Sequence, residues 1–138
     1  MGEDVSARAA VFSLLATDGA LQSLGVPYGN IWPSQAMDTA PRRNRFLILR
    51  WEEESVSFGQ TGKDVLTIWA HCPREISTDF APLDAILNRV TEILTSAAHV
   101  VGADGTLTCV DYNGKSPDLN DEGYKTITKN AAYTVVSR

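Results

Sequence analysis

The sequence predicts an α+β domain, in which a mainly antiparallel four-stranded sheet carries helices on one face. Two observations predict this fold class. Segments with the apolar spacing of helices alternate with pairs of strand-like segments, and turn residues separate the members of each pair. The resulting order is α-β-β-α-β-β, and short hairpin connections favour antiparallel pairing. The 138 residues fit one domain, residues 1–138, whose core needs neither a disulfide nor a metal ion.

The first helix is expected over residues 4–17, where Val5, Ala9 and Phe12 recur at helical spacing. Asp18 and the following glycine provide its stop. The next segment, residues 20–41, is rich in Gly, Pro, Asn and Ser. It predicts a short helical turn and an ordered loop, with a brief edge strand as a further option.

Two strands are then expected, over residues 45–53 and 64–72, with a turn at residues 59–62 between them. Residues from Glu52 to Lys63 extend this hairpin beyond the core as an arm with few apolar residues to bury. Because such an arm is not rigid by itself, we expect it to dock on a neighbouring molecule.

The strongest helix signal follows, from Phe80 to Ala97, with Asp79 as the expected N-cap and Pro82 in the first turn. Its apolar residues form one continuous stripe. A third strand is expected over residues 106–112. A polar loop at 113–122 then leads into a final strand at 124–136.

Composition narrows the function classes. The chain has 12 Lys and Arg against 17 Asp and Glu, a net charge of −5 without a basic tail, which argues against tight duplex binding. No apolar run approaches the roughly 20 residues of a membrane span, and the first ten residues do not form a signal peptide. We therefore expect synthesis in a cytoplasm, with both cysteines reduced.

The sequence offers little for chemistry. His71, Cys72, His99 and Cys109 are its only soft metal ligands, and the adjacent pair points to opposite faces of a strand. Cys109, His71 and Asp111 are residue types that could form a nucleophilic catalytic site. The position of Cys109 within a strand indicates a small core residue instead. The run of three glutamates at 52–54 reads as a solvated arm rather than a carboxylate pair. We expect no catalytic, cofactor-binding or metal-binding residues.

Two other features have both a functional and a structural reading. The basic cluster at residues 41–45 could contact phosphate, an acidic partner or only water. Trp32, Trp51 and Trp69 could stack on bases, but no groove of Lys and Arg accompanies them. Core packing or subunit contact is the simpler interpretation.

Taken in order, four stretches resemble the tail terminator proteins of long-tailed, non-contractile (siphovirus-type) bacteriophages. The stretches are Asn30-Ile31-Trp32-Pro33, Arg45-Phe46-Leu47-Ile48-Leu49-Arg50-Trp51-Glu52, the run from Asp64 to His71 that leads into Ser77-Thr78-Asp79-Phe80, and the run from Asp121 to Tyr133. The ordered set spans nearly the whole chain and closes with the strand that runs from acidic-Gly-Tyr to Asn-Ala-Ala-Tyr.

The resemblance implies a small α+β virion protein that forms a homo-hexameric ring on the head-proximal end of the tail tube. Such a ring stops polymerisation of the tube protein and presents the surface to which a head completion or connector protein joins. DNA passes through its channel without specific binding, and the family has no catalytic residues or cofactor. The implied location is the tail–neck junction of a virion.

For such a ring, the arm and the basic cluster supply the expected subunit or partner contacts. These residues are Arg42, Arg43, Arg45, Glu52, Glu53, Glu54, Ser55, Val56, Phe58, Gln60 and Lys63. Three alternatives remain open on the sequence: another neck or head-completion protein, a small α+β enzyme, and a monomeric binding module.

Overall fold

The structure is a computed structural model that describes residues 11–26, 30–32, 44–53, 62–96, 100–101 and 107–137. Within these ranges there are three helices and seven strands. The helices are α1 (helical at 11–16), α2 (Gly19–Ser23) and α3 (Ala81–Ser96). The strands are β1 (Ile31–Trp32), β2 (Phe46–Glu53), β3 (Gly62–Pro73), β4 (Val100–Val101), β5 (Leu107–Lys115), β6 (Leu119–Asp121) and β7 (Thr126–Ser137).

The strands form one mixed sheet in the order β1-β2-β3-β7-β5-β4. β1 runs parallel to β2, and every other pair is antiparallel. β3 pairs with β7 along the whole length of both strands, so these two form the centre of the sheet. β6 also pairs with β7, at Thr126–Thr128, beyond the part of β7 that pairs with β5.

The α+β class is confirmed, but the four-strand count and the order α-β-β-α-β-β are wrong. The four predicted strands correspond to β2, β3, β5 and β7, to which the structure adds the short strands β1, β4 and β6. The predicted polar loop at 113–122 contains the end of β5 and all of β6. This happens because Ser116 bonds Asn130 through both its backbone and its side chain, which holds the polar segment beside β7.

The helices lie on one face of the sheet, as predicted. α3 buries Leu83, Ile86, Leu87, Val90 and Leu94, each 0% exposed, and these form one core with residues of α1, α2 and the sheet. Asp79 Oδ1 accepts a hydrogen bond from Ala81 N at the start of α3, but Phe80, and not Asp79, directly precedes the helix and its carbonyl accepts the first helical hydrogen bond. The continuous apolar stripe therefore positions the helix across the sheet.

The sequence predicts Asp18 only as part of the stop of the first helix, but in the structure its side chain contacts both α2 and α3. Its side chain caps α2, because Leu21 N donates to Asp18 Oδ2 at 2.9 Å. It also accepts two hydrogen bonds from Arg89 of α3, at 3.1 and 2.7 Å. This contact joins the turn between α1 and α2 to α3.

The opposite face of the sheet carries a smaller aromatic cluster. Phe46 and Ile48 are buried there, and Trp32, Trp69 and Tyr124 pack around them half-buried. No helix within the described ranges covers this face. None of the described helices is long and apolar enough to cross a membrane.

Candidate assembly interface

The described strands leave both long edges of the sheet partly open. On one side, β1 accompanies β2 only at Leu47 and Ile48. On the other, β4 accompanies β5 only at Leu107 and Thr108. Within the described ranges, the rest of each strand has no strand beside its outer edge. Unpaired backbone N–H and C=O groups at such edges are a template for pairing with another chain.

The open part of β5 carries exposed polar and aromatic side chains. Asp111 and Asn113 are exposed, and Tyr112 is 43% exposed although its ring lies 5.8 Å from that of buried Tyr133. Asn113 Nδ2 donates to Thr134 Oγ1 at 2.8 Å, beside the β-bulge between Tyr112 and Gly114. This edge therefore presents a large, partly apolar side chain next to a carboxylate.

The open part of β2 carries charges of both signs. Arg50 and Glu52 are exposed and lie on the face opposite the helices. Trp51, between them, is half-buried and packs against the main core. β2 ends at Glu53, within the residues of the predicted arm, and the next residues of that arm lie outside the described ranges.

The structure describes only part of the predicted contact set. Glu52 is an exposed residue of β2, Glu53 ends β2, and Lys63 lies in β3. Seven residues of the set lie outside the described ranges: Arg42, Arg43, Glu54, Ser55, Val56, Phe58 and Gln60. Their role in contacts stays a prediction.

Arg45 lies within the fold just before β2. Its backbone carbonyl accepts a hydrogen bond from Asn30 Nδ2 at 3.1 Å. Its guanidinium fills the space beside Gly25, where an added Cβ would lie 2.7 Å from Arg45 Nη1. Gly25 has a φ of 97°, a backbone conformation that is strained for residues with a side chain. Glycine at this position therefore allows the turn and also leaves room for the Arg45 side chain.

His71 and Cys72 point to opposite faces of β3, as their spacing predicts. Cys72 is buried in the main core, and burial raises the pKa of its thiol. His71 stacks on Phe46 on the other face, with ring centroids 4.8 Å apart, and shares a 2.8 Å hydrogen bond with Thr126 Oγ1. No group of three His, Cys, Asp or Glu within the described ranges is placed to hold a metal ion.

Burial holds His71 in its neutral form. Desolvation lowers the pKa of its imidazole to about 4, and the nearby negative charge of Asp121 opposes this only in part. Asp111, the third residue of the nucleophilic set considered above, lies on β5, separated from β3 by β7. The structure therefore does not bring His71 and Asp111 together as a catalytic pair.

Sequence reasoning missed Arg50 and Tyr112 as candidate contact residues and considered Asp111 only for catalysis. Because side chains alternate along a strand, the sequence already places Arg50 on the face of β2 opposite the buried leucines. It also places Asp111 and Tyr112 on a strand, β5. Their importance depends on which strands form the edges of the sheet. That property follows from long-range pairing and not from local pattern.

The fold so described occurs in a known particle. A search of solved structures matches a chain of the "Virion of native gene transfer agent (GTA) particle" with a TM-score of 0.73. The match covers 99% of this chain and 97% of that chain, at 15% sequence identity. No family model and no curated protein matches the sequence. At this identity the likeness shows the fold alone.

Proposed function

We propose that this chain is a structural virion protein, not an enzyme, and acts as a tail terminator. It forms a closed ring of six copies on the head-proximal end of a tail tube. There it stops tube polymerisation and presents the surface that joins the tail to the head. The observation that carries this proposal is the likeness of fold, over 99% of the chain, to a chain of a gene transfer agent virion.

The sheet edges and the sequence resemblance support the finer part of the proposal. A closed ring needs heterologous contacts, in which two different surfaces of one subunit meet complementary surfaces of its two neighbours. The open edges of β2 and β5 lie at opposite sides of one sheet, and in the proposed ring they would serve as these two surfaces. The four stretches that resemble tail terminators point to the same assembly.

The implied partners are other copies of this chain, the tube protein and a head completion or connector protein. DNA would pass through the ring without specific binding, consistent with a net charge of −5. The protein would reside at the tail–neck junction of the virion.

Mass in solution tests the ring. One subunit has a mass of 15.0 kDa, so six copies have a mass of about 90 kDa. We expect light scattering to find a discrete species near this mass, either for the protein alone or after addition of purified tube protein. A 15.0 kDa monomer under every condition would contradict the proposal and favour a monomeric binding module.

Tube growth separates a terminator from another neck protein. When the purified chain is added to polymerising tube protein, we expect electron microscopy to show tubes capped at one end that no longer elongate. A ring that binds a portal or connector preparation and leaves tube length unchanged would instead identify a head-completion protein.

A further inference from the structure

We infer that β2 of one copy pairs directly with β5 of the next copy, antiparallel, in a register that sets Arg50 against Asp111. This interface would join the subunit sheets into one continuous sheet around the ring. The inference rests on the proposed ring and goes further by naming the strands, their direction and their register.

The open edges lie level with each other across the sheet. Glu52 pairs with Val65, Val65 with Thr134, and Thr134 with Asp111. These four residues therefore lie in one row across the sheet, with Glu52 at the open edge of β2 and Asp111 at the open edge of β5. Two copies placed side by side bring these open segments together without a large displacement along the strands.

Strand direction also fits. β2, β3, β7 and β5 alternate in direction, because each neighbouring pair is antiparallel. β2 and β5 of one copy therefore run in opposite directions. In a cyclic ring whose axis lies roughly along the strands, each subunit keeps the same orientation along that axis. β2 then meets the neighbour's β5 antiparallel, which is the slightly more stable of the two pairings.

Side-chain alternation limits the possible registers. A shift of one residue would turn the buried face of a strand outward, so shifts between the copies must be even. The level register opposes Glu52 to the neighbour's Asp111, and directly opposed like charges are destabilising. A shift of two residues opposes Arg50 to Asp111 instead and pairs residues 49–52 with 109–112. The end of β5 beyond Tyr112 then lies level with Ile48 and Leu47, so β1 must leave its place beside β2 when the ring forms. Closure of a sheet around an axis requires such a stagger.

The side chains involved are available for these contacts. Arg50 and Asp111 are exposed, and neither forms an ion pair with any described residue. In the shifted register Tyr112 lies opposite Leu49 of the neighbour, on the helix-bearing face. The 43% of Tyr112 that is exposed in one copy would thereby be covered by the next.

Paired cysteines test the register. The first variant is Arg50→Cys with Asp111→Cys, and the matched control is Glu52→Cys with Asp111→Cys, both in a Cys109→Ala background. Cys72 is 0% exposed and can stay. Within one copy, β2 and β5 are three strand spacings apart, at least about 14 Å, which no disulfide spans. Any bridge between these positions therefore joins two copies.

We expect mild oxidation of the first variant to produce a ladder of covalent oligomers that ends at six on a non-reducing denaturing gel. The control should give less than about a tenth of this product, because its cysteines lie on diagonal positions. A ladder in the control alone would overturn the charge-matched register. A ring of normal mass that yields no bridge in either variant would overturn the edge pairing and leave the terminator function standing.

Charge exchange gives a second test without cysteines. Arg50→Asp and Asp111→Arg should each raise the protein concentration needed for ring formation, by about tenfold or more. The double exchange should restore it. Glu75→Arg, at an exposed turn residue, serves as the control and should leave it unchanged. Failure of the double exchange to restore assembly would also overturn the pairing of these two side chains.

Discussion

At the scale of a single residue, His71 links stability to pH. Its imidazole has a pKa of about 4 in the folded protein, against 6.5 when exposed, because burial disfavours the charged form. Between these values the unfolded chain binds more protons than the folded one, so stability falls as pH falls. We expect a loss approaching about 3 kcal/mol between pH 7 and pH 4, measured as the free energy of urea unfolding.

His71→Phe is the matched variant for that measurement, because it keeps a ring beside Phe46 but does not titrate. It should be less stable at pH 7, since Thr126 loses its partner, yet vary less with pH above pH 5. Asp18 and Asp84 have lowered pKa values, held down by Arg89 and Lys129, so their own contributions disappear only at more acidic pH. Equal pH slopes above pH 5 in both proteins would contradict this account.

At the scale of elements, Asp18 fastens α2 to α3. Asp18→Asn keeps an acceptor for Leu21 N but removes the charge opposite Arg89, whereas Asp18→Ala removes both. We expect the alanine variant to be less stable than the asparagine variant by about 1 kcal/mol, the usual value of an N-cap. Thermal unfolding followed by circular dichroism measures the difference. Equal stability of the two variants would show that the cap contributes nothing.

A second polar contact orients α3 on the sheet. The Lys129 ammonium of β7 lies 2.9 Å from Asp84 of α3 and 3.0 Å from Asp118, and its side chain is only 11% exposed. Lys129→Met would leave Asp118 facing an apolar group, and Asp84 with only the Lys115 ammonium, 3.5 Å away. We expect a loss of about 1–2 kcal/mol, between the values for exposed and buried pairs.

Lys125→Met, at an exposed lysine, is the control for the Lys129 variant and should change stability by less than about 0.5 kcal/mol. Addition of Asp118→Asn to Lys129→Met should recover part of the loss, because it removes the carboxylate that has lost its cation. A further loss in the double variant would contradict the ion-pair explanation.

At the scale of the whole molecule, the arm is the part that assembly should need and folding should not. Deletion of Ser55–Gln60 should reduce the ring fraction while leaving the circular dichroism spectrum and the cooperative unfolding of the monomer intact. Light scattering over a range of concentrations gives the ring fraction. A deletion variant that makes normal rings would remove the arm from the interface.

How far the sequence predicts this molecule depends on the length of each pattern. α3 and the four long strands extend over 8–16 residues, enough for periodicity to identify them. β1, β4 and β6 have only two or three residues, too few for a periodic pattern, and they are strands only because their backbones pair with a longer neighbouring strand. The opposition of Arg50 and Asp111 could not be predicted, because it needs the register of four strands that are distant in sequence.

The central place of β7 has a consequence for synthesis on the ribosome. β7 is the last described strand along the chain, yet it lies between β3 and β5. Until residues 126–137 have emerged, the strands made earlier cannot unite, and the inner edge of β3 stays exposed to other nascent chains. Folding is therefore completed late and through distant contacts, which is slow and prone to aggregation. A chain that ends shortly before β7 would contain two separate strand groups, β1-β2-β3 and β4-β5, without the strand that joins them.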